Sequence, residues 1–241
     1  MTNSLDDHLG AYDNDFPYAL DNDLMLNWYP QRVIALAPGR SLLELGIGHG
    51  YSARRFATRF PRYVVVEGSE TMIDRFQSQE GMGSAEVVHA MFEDFSTDET
   101  FDVIVMGFVL EHVVDPDLIL KRFRRFLAPG GSLFVTVPNA ESLHRRLGYE
   151  AGLLPDLMKL GDADHLLGHR RLYTVASLRC AIDNAGYVVQ TVEGLLLKPI
   201  TTAQIKSLSL ADSILQAMLT VGMSYPELSA GILIQAGLGT P

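Results

Sequence analysis

In the run Glu44-Leu-Gly-Ile-Gly-His-Gly50, glycines at 46, 48 and 50 stand where a short apolar stretch, Ser41 to Leu45, gives way to a helical pattern from Tyr51. Without side chains, these positions permit a tight turn and let backbone amides approach a ligand closely. Position 51 is Tyr51, so the spacing is Gly-x-Gly-x-Gly with Ile47 and His49 between, not the Gly-x-Gly-x-x-Gly of dinucleotide sites. No Gly-Lys-Ser/Thr is present to make a Walker loop. Glu44 lies two positions before the first glycine, and Glu67 closes the next apolar run, Tyr63-Val-Val-Val-Glu67. A carboxylate at such a strand end can accept both hydroxyls of a ribose. The set asks for a ligand with a ribose and a cationic group near Glu44, but no bridging pyrophosphate. Taken singly, Glu67 is equally a solvated strand end, and the glycines are equally ordinary loop residues.

A second constellation is histidine-rich. Of the seven histidines, His112, His144, His165 and His169 fall after the fourth and fifth strand-like runs. Imidazole is the natural proton acceptor near neutral pH. In Gly168-His-Arg-Arg-Leu-Tyr173, the guanidinium forks of Arg170 and Arg171, with Tyr173, can orient a polar or anionic acceptor. Packing or surface roles serve the same residues equally well. His165 and His169 are four apart beside Asp162 and Asp164, but Gly161 and Gly168 interrupt a regular helix and no Glu lies between the histidines. The metalloprotease pattern is therefore missing, and no metal is expected. Tyr12 and Tyr18 are candidates for an N-terminal lid over the ligand, or for the core.

The elements that must position these groups alternate. Strand-like runs at Ser41 to Leu45, Tyr63 to Glu67, Glu86 to His89, Asp102 to Gly107 and Ser132 to Val137 are interleaved with helical patterns near 51–60, 70–79 and 115–126. Such alternation implies parallel pairing through right-handed crossovers, hence an α/β, doubly wound, mostly parallel sheet. Their continuous apolar character fits burial on both faces. Pro138 to Leu172 is long for a connection, which marks a functional segment or lid. Thr174 caps a helix running to Ala185, with Val175, Leu178 and Ile182 on one face. Tyr187 to Leu197 and Ala230 to Ala236 read as strands that form an antiparallel edge pair, with a helix over Thr201 to Val221 between them. The organisation expected is one domain over 1–241. Residues 1–36 form an N-terminal cap, helical in its second half, 138–173 a substrate-side insertion, and 201–224 a helical insertion. The last is as compatible with a homodimer interface as with a lid or a core helix.

The 241 residues are 47% hydrophobic, 20% charged and 9% aromatic, which excludes a disordered chain. No apolar run approaches the roughly 18 residues of a membrane span, and residues 1–8 lack the basic flank of a secretory signal. The single cysteine, Cys180, excludes an internal disulfide framework, so a cytoplasmic setting is expected. Acidic residues outnumber basic ones 29 to 19, a formal charge of −10. That balance favours a small-molecule partner over nucleic acid.

From about Leu42 to Val137 the chain resembles the class I S-adenosylmethionine-dependent methyltransferases, several of whose motifs appear in order. Glu44-Leu-Gly-Ile-Gly-His-Gly50 resembles the family's first motif, which lies under the amino-acid part of the cofactor. Glu67 matches the ribose-holding acid. Gly68, Ser69 and Met72 match the turn whose apolar side chain packs on adenine, although Met72 serves a core equally. Phe101 to Val105, Gly107 and Leu110-Glu-His-Val113 match the fourth strand and its following loop, and Leu127-Ala-Pro-Gly-Gly-Ser132 the turn into strand five. Where many relatives carry an acid for the adenine amino group, this chain has Met91, followed by Phe92 and Glu93 as substitutes.

The resemblance implies a seven-stranded Rossmann-like sheet with an antiparallel edge strand, and S-adenosylmethionine as cofactor with S-adenosylhomocysteine as product. It also implies a small metabolite, natural-product or sugar-type acceptor, methylated at oxygen in preference to nitrogen. His112, His144 and His169 are the candidate bases, and Tyr12, Tyr18, His165, Arg170, Arg171 and Tyr173 the candidate acceptor contacts. Nucleic acid and membrane are not expected as partners. Two alternatives stay open: a nicotinamide-dependent oxidoreductase, and a non-catalytic cofactor-binding module of the same fold.

Overall fold

The computed structural model describes residues 19–37, 39–79 and 85–239. Helix α1 (Ala19–Leu36) precedes strand β1 (Ser41–Leu45), and α2 (Tyr51–Arg59), β2 (Arg62–Glu67), α3 (Glu70–Gln77) and β3 (Glu86–His89) follow. Strand β4 (Phe101–Gly107) leads to α4 (Pro116–Phe123), a single 3-10 turn over Arg124–Phe126, and β5 (Leu127–Pro138). Next come α5 (Leu143–Glu150), α6 (Asp162–Leu166), α7 (Val175–Asn184), β6 (Tyr187–Leu195), α8 (Thr202–Ser207), α9 (Asp212–Gly222) and β7 (Gly231–Leu238). The sheet order is β3-β2-β1-β4-β5-β7-β6. β1 pairs in parallel with β2 and β4, and the sequence order reverses between them. In open sheets of this kind, ligands bind at the carboxyl ends of the strands flanking that reversal.

Alternation along each strand builds two cores. Leu43, Leu45, Val64, Val66, Ile104 and Met106 face one layer, with α4 and α7 residues such as Ile119 and Leu178. Leu42, Val65, Val103 and Val105 face the other, against Val33 of α1, Phe56 of α2 and Ile73 of α3. The period of two that separates these sets is the pleat itself. Burial of each such aliphatic side chain contributes about 1.5–3 kcal/mol before the ordering entropy is subtracted.

The two late strands form the expected antiparallel edge pair, with β7 antiparallel to both β5 and β6 and β6 at the edge itself. Two features depart from the sequence reading. The helix expected over 201–221 is two helices, α8 and α9, separated at Ser209, which adopts φ 47°. The long connection after β5 contains α5 and the one-turn α6, the latter over residues where the glycines argued against a helix. Thr174 caps α7 as expected, its hydroxyl accepting from the Ser177 amide at 3.0 Å. No helix among the described residues is long and apolar enough to cross a membrane.

Candidate functional site

At the carboxyl end of β1 the chain turns through Gly46, Gly48 and Gly50 at φ 80°, 53° and 75°, conformations that residues with a Cβ rarely adopt. A Cβ at Gly48 would meet nothing within 4 Å, so the loop leaves open space beside it. That space belongs to a cavity of about 460 Å³, within the usual size range for a small-molecule site. Gly46 to Gly50 and Glu44 form its floor, Glu67, Ser69, Met72 and Phe92 one side, and Gly107, Phe108, Val109, Glu111 and His112 another. α1 closes it through Asp21, Asn22, Met25, Leu26 and Tyr29.

Glu44 is almost wholly buried, and the hydroxyls of Tyr63 and Tyr29 both donate to its carboxylate, the latter at 3.4 Å. Burial pushes the carboxyl up to about 7, with hydrogen bonds from Ser52 and the two tyrosines pulling the other way. Gly107 makes room for this arrangement, since a Cβ there would lie 2.5 Å from the Tyr29 Oη.

Glu67, half-buried at the end of β2, accepts from the Ile47 amide at 3.0 Å on Oε2 and from the Ser69 amide at 2.8 Å on Oε1. These amides fix its orientation while both oxygens retain acceptor capacity. Ser69 in turn caps α3, accepting from the Met72 amide at 3.1 Å, which sets Met72 on the cavity wall.

The opposite wall joins two distant stretches. The Arg171 guanidinium donates to the carbonyls of Leu110, Val113 and Val114 at 2.8, 2.5 and 3.0 Å. Arg170 donates to the His112 carbonyl through Nε and to the Glu111 carbonyl through its amide, and the Tyr173 hydroxyl reaches the Leu110 carbonyl. This lacing brings the His169 ring within 4.8 Å, centroid to centroid, of the His112 ring. His169 Nδ1 donates to Asp164 at 3.0 Å. Burial would raise Asp164, but the hydrogen bonds from His169 and the Gly161 amide hold its carboxyl below the usual range. Beside the rings lies Glu111, 0% exposed, with no side-chain hydrogen-bond donor to either carboxylate oxygen among the described residues. Burial pushes that carboxyl up to about 7, against the pull of His169, of its own backbone amide and of Arg171.

The far end of the cavity is polar and buried. Lys198 donates to Asp21 and, at 2.8 Å, to Thr202, whose hydroxyl also donates to Asp21 at 2.9 Å. His144 lines the same end, and burial, with Lys198 and Arg145 nearby, lowers its imidazole to about 3. It stays neutral at physiological pH and is a weak proton acceptor there.

The structure thus gathers Glu44, Gly46, Ile47, Gly48, Gly50, Glu67, Ser69, Met72, Phe92 and Gly107 around one space, with His112, His144, His169 and Arg170. Gly68, Glu93, His165, Arg171 and Tyr173 do not line it. His165 is exposed, and the Arg171 fork and Tyr173 are engaged with the carbonyls after β4. Tyr12 and Tyr18 lie outside the described residues. The sequence reading missed Asp21, Tyr29, Tyr63, Glu111 and Lys198. Glu111 alone left a signal, as an ionisable residue inside the apolar run that ends β4 and its loop. The others meet the site only through tertiary packing.

Residues 22–192 match the family described as "Methyltransferase domain". Among curated proteins, the chain is similar to the cypemycin N-terminal methyltransferase of a Streptomyces species, 30% identical over 161 residues. That match covers 64% of this chain and 59% of the Streptomyces protein, so the chain spans less than two thirds of that relative's length. It is also similar to the ubiquinone biosynthesis O-methyltransferase of Acinetobacter baumannii, 28% identical over 188 residues, 75% of this chain and 76% of that protein. Among solved structures, a SAM-dependent methyltransferase of Thermotoga maritima superposes with a TM-score of 0.63 at 22% identity, covering 91% of this chain and 92% of that one. The N-methyltransferase NodS of Bradyrhizobium japonicum, bound to S-adenosyl-L-homocysteine, gives a TM-score of 0.58 at 16% identity, covering 99% and 100%. These two likenesses establish the fold.

Proposed function

The chain belongs to the methyltransferase family, and on that premise we propose that it moves the methyl group of S-adenosylmethionine to a small-molecule hydroxyl. The observation that carries this reading is a glycine floor at positive φ, a buried acid beneath it and an oriented acid at the rim, all on one cavity. The residues fit the cofactor on their own chemistry. Gly46 to Gly50 would lie along the methionine portion, Glu44 would supply negative charge toward its cationic groups, Glu67 would accept the ribose hydroxyls, and Met72 with Phe92 would flank the adenine. Bound there, S-adenosylmethionine supplies a methyl group already activated on a sulfonium.

What remains for the protein is chiefly alignment of acceptor and methyl at about 3–3.5 Å, with water kept out. A hydroxyl acceptor must also lose its proton as the new bond forms. His112 and His169 line the same cavity as the glycine loop, and their imidazoles would receive that proton. The Asp164 carboxylate holds His169 through Nδ1, so its Nε2 is the atom left for this task. Asp21, Lys198 and His144 form a polar end suited to a hydroxylated acceptor.

Calorimetric titration with S-adenosylmethionine and its demethylated product, followed by transfer of labelled methyl to a panel of phenols, sugars and amines, tests the reading. Binding of both nucleosides and labelling of hydroxyl acceptors is expected. Labelling of amines alone would overturn the preference for oxygen. Binding without turnover on any acceptor would favour a non-catalytic module instead.

A further inference from the structure

A fully buried carboxylate with no side-chain hydrogen-bond donor is costly, because the desolvation of the charge is only partly offset. Glu111 is such a group among the described residues, and its carboxylate lies beside two imidazoles. One ligand atom from each of Glu111, His112 and His169 can be chosen so that all lie within 4.8 Å of one another. The residues come from two stretches held together by Arg170 and Arg171, so the grouping is built by the fold and not by local sequence. His169 is further oriented by its Nδ1 donation to Asp164, the carboxylate–histidine arrangement that fixes the tautomer of metal-ligating histidines.

We propose that Glu111, His112 and His169 bind one divalent ion of the zinc class at the acceptor side of the cavity, with Asp164 as a positioning residue. Two imidazoles and one carboxylate suit zinc, cobalt or iron, whereas magnesium and calcium prefer all-oxygen sets. Three protein ligands also leave a position open to the cavity, as catalytic sites do. Tetrahedral zinc with ligand atoms at about 2.0–2.1 Å sets them roughly 3.3 Å apart, so side-chain rotations must draw the group inward. The sequence reading set metal aside because it weighed only 162–169; two of the three donors come from the loop after β4. With an ion bound, the His112 and His169 nitrogens would be ligands and not proton acceptors. The ion would replace them in that role by lowering the pKa of a hydroxyl it held, so that the proton leaves to water near neutral pH. That role rests on the methyl-transfer reading, whereas the binding itself does not.

The test is equilibrium dialysis of the chelator-treated full chain against zinc, with metal content measured, and titration with cobalt followed by its visible ligand-field absorption. About one equivalent of zinc and a ligand-field band are expected for the native protein. Both should be lost in Glu111→Gln and in His169→Asn, and Asp164→Asn should weaken binding by roughly 10- to 100-fold. Thermal melts show which variants fold, and His169→Asn, at the rim of the segment, keeps the test available should Glu111→Gln misfold. Absence of stoichiometric zinc in the native protein, or equal binding in folded variants, overturns the proposal. S-adenosylmethionine titrated into the same samples separates the two ideas. Nucleoside binding without metal defeats only the ion, and metal binding without nucleoside defeats only the methyl-transfer reading.

Discussion

Glu44 carries a carboxyl that burial raises from 4.5 to about 7, while the ligand proposed for the cavity brings positive charge toward it. A carboxyl with a raised folded pKa contributes stability that is present below pH 4.5 and lost as pH rises through about 7. The unliganded protein is therefore expected to lose on the order of 3 kcal/mol between pH 5 and pH 8 from this group, read by urea unfolding. S-adenosylmethionine should bind more tightly over the same interval, because its cationic groups favour the ionised carboxylate. Glu44→Gln should abolish the binding trend and reduce the stability trend, the remainder belonging to Glu111, which burial also raises to about 7. If both persist unchanged, Glu44 is not their source. His144 contrasts with this behaviour: lowered to about 3 by burial and its cationic neighbours, it carries no titration near neutrality.

At the scale of elements, the site depends on close approaches that particular residues permit. A Cβ on Gly107 would drive into Tyr29, which holds Glu44, so Gly107→Ala should displace α1 from β4. A loss of about 1–3 kcal/mol in urea unfolding is expected, as for other overpacked sites, together with weaker nucleoside binding. Arg171 pins the 168–173 stretch to the loop after β4. Arg171→Ala should leave nucleoside affinity nearly intact while lowering kcat/KM by roughly 10- to 100-fold through misplacement of His169. Equal loss of nucleoside binding would show that the segment supports the cofactor side instead. The glycine spacing, the acid at the end of β2 and the Thr174 cap were all legible in the sequence, because each is a local demand of backbone or strand end. The use of Arg171 was not, since a guanidinium fork matches a carbonyl cluster as well as an anionic acceptor. The break between α8 and α9 was also hidden, because both halves share one continuous apolar pattern.

Over the whole molecule, the sheet order and the two cores follow from apolar runs of strand length, which is why the α/β class was readable before any coordinates. The far end of the cavity was not, because Asp21 and Lys198 are 177 positions apart in the chain and meet only when α1 packs near α8. Their pair ties the N-terminal helix to the helical insertion under nearly complete burial. Removing one partner strands the other, so Asp21→Ala should cost about 3–5 kcal/mol in urea unfolding. Arg62→Ala, which breaks the more exposed pairs with Glu86 and Glu99, should cost no more than about 1 kcal/mol. Comparable losses at the two sites would mean that the buried pair is not the tie between these elements.

Whether an adenosyl sulfonium is held between the glycine loop and the acid at the end of β2 is read most directly by calorimetric titration of S-adenosylmethionine into the native chain and Glu67→Ala. One-to-one binding is predicted, weakened roughly 10- to 100-fold in the variant, as loss of hydrogen bonds to a charged group implies. No binding to the native chain, or an affinity that Glu67→Ala leaves unchanged, would contradict it.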